Sequence, residues 1–419
     1  MCKSRRRSGM EVSMKKLLTV LTLGACMFFF GTAHAAEAES SGVKIDTNAF
    51  PDNFLQTYVL ENIDTNKDGI LQQEEAETVT ALTLWKFKNK DEQGDGEGPV
   101  EYHYYTEDEF TFDFKGLENF SNLSNLTIRL HGGSTEGDVE YPVKVSHLSN
   151  LYQLKNLKTL EINKTDIKNF DCSKFPKLEK LTLTDFNELQ KLVFKGNKKL
   201  KKLELWDLAK METLDVSSLG GLTSLTLRSV DVKTIQFGKK NSRIKSLYAG
   251  SSSTTRYCTK LNSLDLSKLT GLKKLYVTNM KNLKKLDVSR NRNLQSIYLE
   301  RCNKIAEVAP TKNKKLTEVD IWNCKNLKTL NLSANNKLNW LRLDGMEVKS
   351  IQLSRKNKLS FFRYANAKLK KFDVKNINAG TLTDLQLYGN KLKKVDVRKY
   401  KKLENLEVDK GVKVIGRKN

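Results

Sequence analysis

Between Asp64 and Glu75 the 419-residue chain sets oxygen-bearing groups at a spacing that suits a hard cation. With Asp64 first, Asn66 and Asp68 take the third and fifth places of a twelve-residue loop, and Glu75 closes it. Gly69 permits the sharp turn, Ile70 offers its backbone carbonyl, and Gln72 acts directly or through water. With both Glu75 carboxylate oxygens the set reaches about six or seven oxygen ligands, which is calcium chemistry. The competing reading is an Asx-rich acidic turn that holds no metal. No Ser/His/Asp or Cys/His set occurs at a catalytic spacing, and no histidine follows position 147. The expectation is a non-enzyme with no catalytic residues.

Two short helices must position this loop. Pro51 opens a segment in which Phe54, Leu55, Tyr58, Val59 and Ile63 recur at helical spacing, and Glu74–Val79 can begin an exit helix. This is the pattern of an EF-hand, with Leu71 as its inward apolar residue. No second loop is present to pair with it. A lone loop of this kind binds calcium weakly, on the order of 10⁻⁴ to 10⁻³ M, so its role is stiffening rather than signalling.

Charge divides the chain. Lys and Arg number 73 against 49 Asp and Glu, a formal +24, but residues 36–120 carry −14 and residues 121–419 carry +33. At the N-terminus, Met14-Lys15-Lys16, the apolar run Leu17–Phe30 and Ala33-His34-Ala35 read as a secretory signal cut after Ala35. The run is too short to span a bilayer comfortably, so no transmembrane anchor is expected once it is removed. Cys26, in Leu23-Gly24-Ala25-Cys26, offers a less favoured lipid-anchored alternative. The expected location is therefore secreted or at the cell surface. Cys172, Cys258, Cys302 and Cys324 remain, too few and too scattered for a disulfide scaffold or a zinc site.

From residue 148 onward the phrase L-x-x-L-x-L recurs, as in Leu157–Ile162, Leu178–Leu183, Leu200–Leu205, Leu272–Val277 and Leu338–Leu343. A second phrase ending D-x-S alternates with it, at Leu214–Ser217, Leu264–Ser267 and Leu286–Ser289. Together they give a repeat of 21 or 22 residues, the leucine-rich-repeat period. One coil cannot bury its own leucines, so the array is stable only when stacked. The predicted architecture is a β-rich leucine-rich-repeat solenoid with a small helical EF-hand-like cap. Its segments are 1–35 signal, 36–80 cap, 81–147 irregular first repeats with inserted loops, and 148–419 solenoid. Thirteen candidate strands from Leu126, at ~4.8 Å each, make a ribbon roughly 60 Å long. Interruptions are expected at Lys90–Thr111, His131–Ser146 and Ser251–Lys260, with His103, His131 and His147 solvated. Cys302 and Cys324, 22 residues apart, take core positions on adjacent coils, where a bridge or two free thiols would both fit.

Residues between the inward leucines should point outward onto a concave sheet. The middle position reads Tyr248, Tyr276, Tyr298, Asp320, Arg342 and Arg363, with Trp206, Trp322, Trp340 and Tyr388 beside it. Tyr, Trp and Arg dominate binding hot spots, which suggests a protein or glycan ligand; cross-strand aromatics that only stabilise the sheet are the bland alternative. Lysine clusters such as Lys198-Lys199-Leu-Lys201-Lys202 and Lys312-Asn313-Lys314-Lys315 fall in the turns. They serve solubility, or else a polyanion along that edge, with no specific nucleic acid implied.

The sequence resembles secreted bacterial leucine-rich-repeat proteins related to internalins, especially those with an EF-hand-like leader. The resemblance rests on Phe50-Pro-Asp-Asn-Phe54, Tyr58-Val59, the Asp64–Glu75 loop, Glu77–Leu82 and Lys115–Leu123. It implies an exported or surface-attached binding protein, often an adhesin, without catalytic activity. The chain departs from that pattern in its early insertions, in lacking a C-terminal sorting motif, and in its few asparagines at the usual ladder position, of which Asn390 is one.

Overall fold

An inward leucine on every coil needs an identical neighbour above and below, and parallel pairing in register supplies it. The computed structural model describes residues 42–87, 110–131, 142–251 and 260–416. Fourteen strands form one parallel sheet, from Ala81–Phe87 and Asn125–His131 to Asp384–Gln386 and Asn405–Glu407. Leu82, Leu126, Leu160, Leu181, Leu203 and Leu225 stand opposite one another on successive strands, all buried. The ladder thus begins one strand before Leu126, where the leucine phrase is first clear. Among the described residues no helix is long and apolar enough to cross a membrane.

Short two- and three-stranded parallel sheets form apart from the large one, such as Thr213–Asp215 with Thr234–Gln236. The D-x-S phrase at Leu214–Ser217 begins in one of them, whereas those at Leu264–Ser267 and Leu286–Ser289 lie in no strand. The acid of the phrase has a local task. Asp215, Asp265 and Asp287 each accept the backbone N–H two residues on, at 2.8–2.9 Å, and so close a local turn. Asn331 does the same for Ser333.

Each coil has two corners, and the chain solves them differently. After most strands of the large sheet one residue adopts positive φ, among them Lys164, Asp185, Asn279, Arg301, Asn323 and Asn366. Its backbone N–H then continues the ladder, as from Asn279 to Glu300 O at 2.8 Å and from Asn323 to Asp344 O at 2.8 Å. At the opposite corner the backbone carbonyls have no strand partner. Asn197, Asn241, Asn291, Asn313 and Asn335 lie there with at most 2 % exposure, each donating its Nδ2 to two carbonyls of the preceding coil. This ladder lies away from the usual position, where asparagines are few as expected. Asn390 is one, bonded to Tyr364 O and Leu387 O, but the main ladder runs along the other corner. Asn313, which reads as part of a solvated lysine turn, is wholly buried while Lys312, Lys314 and Lys315 are exposed.

Cys302 and Cys324 are buried free thiols on neighbouring coils. A hydrogen bond to Cys302, together with burial, pushes the Cys324 thiol up. His147, expected to be solvated, is half-exposed and bonded to the Asp113 carboxylate at 2.8 Å. Within the expected interruptions, residues 90–109, 132–141 and 252–259 lie outside the described residues, as do the signal region with Cys26, and Cys258 and His103. Thr111–Asp113 and Lys144–Ser146, at the borders of two interruptions, pair as parallel strands.

Candidate functional site

Helix α1, Asn53–Asn62, and helix α2, Gln73–Thr78, flank the acidic loop. Asp52 caps α1 by accepting from Leu55 N at 3.0 Å. Its second oxygen accepts from Lys86 Nζ at 2.9 Å and from Asp113 N at 3.1 Å. Lys86 lies on the first strand of the large sheet, and both charged side chains are almost completely buried. Phe50 closes the same junction. Its ring covers Gly116, where a Cβ would meet it at 2.2 Å and where φ is +102°. Two residues of the Phe50–Phe54 stretch, the ring and the carboxylate, therefore join the leader to the solenoid.

Inside the loop, Asp64 is buried and accepts from Lys67 N at 2.8 Å and Gly69 N at 2.9 Å. Asp68 accepts from Ile70 N and from the Asn66 and Gln72 side-chain amides. Glu75 accepts from Thr65 N, Thr65 Oγ and Gln72 N. Desolvation opposes ionisation of Asp68 and Glu75, yet these hydrogen bonds hold both carboxyls below their usual range. Ile70–Leu71 pairs antiparallel with Val43–Lys44, so a leader strand takes the place a second loop would fill. Among the described residues no three His, Cys, Asp or Glu side chains converge as a cation cage. The donor set nevertheless fits calcium, being all oxygen, and Gln72 Oε1 is buried without a hydrogen-bond partner.

On the large sheet, strand register brings Tyr248, Tyr276, Tyr298, Asp320, Arg342 and Arg363 into one row across six adjacent strands. Tyr248 and Tyr276 stack at 6.3 Å between centroids, and Tyr276 and Tyr298 lie at 6.0 Å. The Arg342 guanidinium sits 3.4 Å from the Trp322 ring centroid and 3.8 Å from Asp320. Trp322 Nε1 also donates to Asp320. Burial pushes the Asp320 carboxyl up to about 6, against the pull of Arg342. Burial also raises the Tyr298 phenol, whose hydroxyl donates to Glu300 at 2.9 Å.

Trp206 lies in the next row, with Arg228 over its ring at 4.7 Å, and Tyr388 receives Arg363 at 4.7 Å. Trp340 occupies the row on the other side and stacks on Phe361 at 3.7 Å and 7°. All ten residues expected on this face are therefore on it. Arg228, Asp344 and Phe361 join them without having been singled out in the sequence. Counting two positions either side of the middle residue, strand by strand, would have found all three.

No protein-family model and no curated protein sequence matches the chain. Among solved structures it is similar to the functional domain of InlJ from Listeria monocytogenes, 17 % identical over 88 % of this chain and 77 % of that one, TM-score 0.41. It is also similar to an internalin from the same organism, at 16 % over 91 % and 99 %, TM-score 0.46. A Leptospira interrogans leucine-rich-repeat protein is 19 % identical over 67 % and 83 %, TM-score 0.37. What the chain is follows from its own register. It is a leucine-rich β-solenoid.

Proposed function

We propose that this solenoid is an exported, non-enzymatic interaction module that binds a protein or glycan partner on the outer face of its large sheet. One observation carries the reading: six residues of hot-spot type or its charged complement, Tyr248 to Arg363, fall in a single row across adjacent strands. Substituting Tyr298, Trp322 and Arg342 together by alanine should abolish partner binding while leaving the circular-dichroism spectrum intact. Full binding by the triple variant overturns the reading.

The Asp64–Glu75 loop would hold calcium through Asp64, Asn66, Asp68, Glu75, the Ile70 carbonyl and Gln72. The ion would supply positive charge to a loop whose carboxylates rely on backbone N–H groups, side-chain amides and the Thr65 hydroxyl. Because Asp52 and Phe50 tie α1 to the first strands, stiffening the loop stiffens the end of the solenoid. Titration calorimetry of wild type and Glu75→Gln tests this: calcium heat should appear in the first and vanish in the second. Exposed lysines in the turns, such as Lys198, Lys199 and Lys201, leave polyanion attraction along that edge as a second, salt-sensitive interaction.

A further inference from the structure

The body of the chain is strongly basic, yet its charge is not spread evenly over the large sheet. On the strands from Lys180 to Thr278, outward positions carry Lys180, Lys202, Arg228 and Lys274 against Glu204. From Ser296 to Gln386 the balance reverses: Glu300, Glu318, Asp320, Asp344 and Asp384 stand against Arg342 and Arg363. Both arginines are engaged, Arg342 beside Asp320 and Arg363 with Asp344 at 2.6 Å.

Within this acidic stretch one row has a distinct order. Strand register aligns Glu318, Trp340, Phe361 and Asp384 side by side on four consecutive strands. Two stacked aromatic rings are thus bracketed by two carboxylates. Among the described residues Trp340 is the one large apolar side chain that remains exposed, at 36 %. Glu318 accepts a hydrogen bond from Ser296 Oγ, and among the described residues no cationic side chain forms an ion pair with it or with Asp384. Asp384 Oδ1 is buried without a hydrogen-bond partner. An exposed indole next to uncompensated carboxylates suits a cation: the ring face attracts it, and the carboxylates accept its N–H groups. At ~4.8 Å per strand the two carboxylates stand roughly 14 Å apart, room for the extended side chains of a peptide rather than a lone ion.

We infer that the row Glu318–Trp340–Phe361–Asp384 is the seat for an arginine- or lysine-bearing segment of a protein partner. The inference rests on the proposed binding face and narrows its partner to one of basic chemistry. The lysine-rich turns and the basic part of the sheet repel such a segment, so attraction at this row acts as a selector along the solenoid.

The test uses the full chain and a fluorescein-labelled deca-arginine peptide followed by anisotropy, with deca-glutamate as counter-probe. Expected are salt-sensitive binding of the basic peptide, weakening of about tenfold in Glu318→Gln/Asp384→Asn, and severalfold weakening in Trp340→Ala. Glu204→Gln, on the basic part of the face, should leave it unchanged. Unaltered affinity in both Glu318→Gln/Asp384→Asn and Trp340→Ala overturns the seat. If that binding is lost in the Tyr298/Trp322/Arg342 triple variant, the seat fails while the binding face stands; if it survives there too, both fail. Displacement by tetramethylammonium at the peptide's own concentration assigns the row to a small quaternary ammonium instead and overturns the peptide assignment.

Discussion

Replacing Asn313 by leucine tests whether the asparagine ladder holds the coils together. Asn313 has no exposed surface and donates to Val288 O at 2.9 Å and Asn291 O at 2.7 Å. Leucine fits sterically, because Leu219 and Leu269 occupy the equivalent place on other coils with no exposure. The loss is then one of hydrogen bonding alone. Two buried carbonyls without donors cost about 1–3 kcal/mol each; greater apolar burial offsets roughly 1 kcal/mol, leaving about 1–5 kcal/mol of destabilisation. The chain itself supplies a rescue. Beside Leu219, the Ser218 hydroxyl donates to Phe194 O at 2.8 Å, one of the two carbonyls an asparagine would serve. Lys312→Ser added to Asn313→Leu should therefore recover about 1 kcal/mol. Urea unfolding measures the totals, and hydrogen exchange on the flanking strands separates local opening from global loss. An Asn313→Leu midpoint equal to wild type, or no recovery on adding the serine, would refute the reasoning.

Three further outcomes are expected. Lys86→Met alone should cost about 3–5 kcal/mol by leaving Asp52 buried and unpaired, while Asp52→Asn/Lys86→Met should recover much of it in urea unfolding. The Asp320 carboxyl, raised by burial to about 6 from 3.8, keeps its proton in the folded state where the unfolded chain has lost it. Stability from this group is thus greatest at acidic pH and declines as pH rises through about 6; Asp320→Asn should flatten that slope in thermal melts taken from pH 4.5 to 7.5. Cys302 and Cys324 should resist iodoacetamide in the native protein and react in full once unfolded, as two free thiols and not as a bridge.

The parts legible in the sequence are those written in apolar period. L-x-L gives the thirteen strands from Asn125 onward, and D-x-S gives the turns, because both devices act within a few residues. The Asp52–Lys86 pair was invisible: its partners are 34 residues apart and meet only when the leader docks. The asparagine ladder was hidden for another reason. It recurs three residues before the leading leucine, in Asn197-Lys-Lys-Leu200 and Asn313-Lys-Lys-Leu316, where exposed lysines on either side suggest solvent. Only the corner geometry shows that this position points inward. The face residues were legible as a row, but not as pairs, since stacking of Trp340 on Phe361 depends on register between coils.

The change of sign along the large sheet gives the face a direction. A partner lying across it would meet Lys202 and Lys274 on one stretch of strands and Glu318 and Asp384 on the next. Two opposed charges separated along a rigid ribbon exert a torque on any approaching molecule whose own charge is uneven. Docking in the reversed sense would set like charges together and be rejected before contact. If the proposed face binds its partner, the sign change would select an orientation as well as a ligand, and the selection would act over about a Debye length, ~8–10 Å, ahead of any touching side chain.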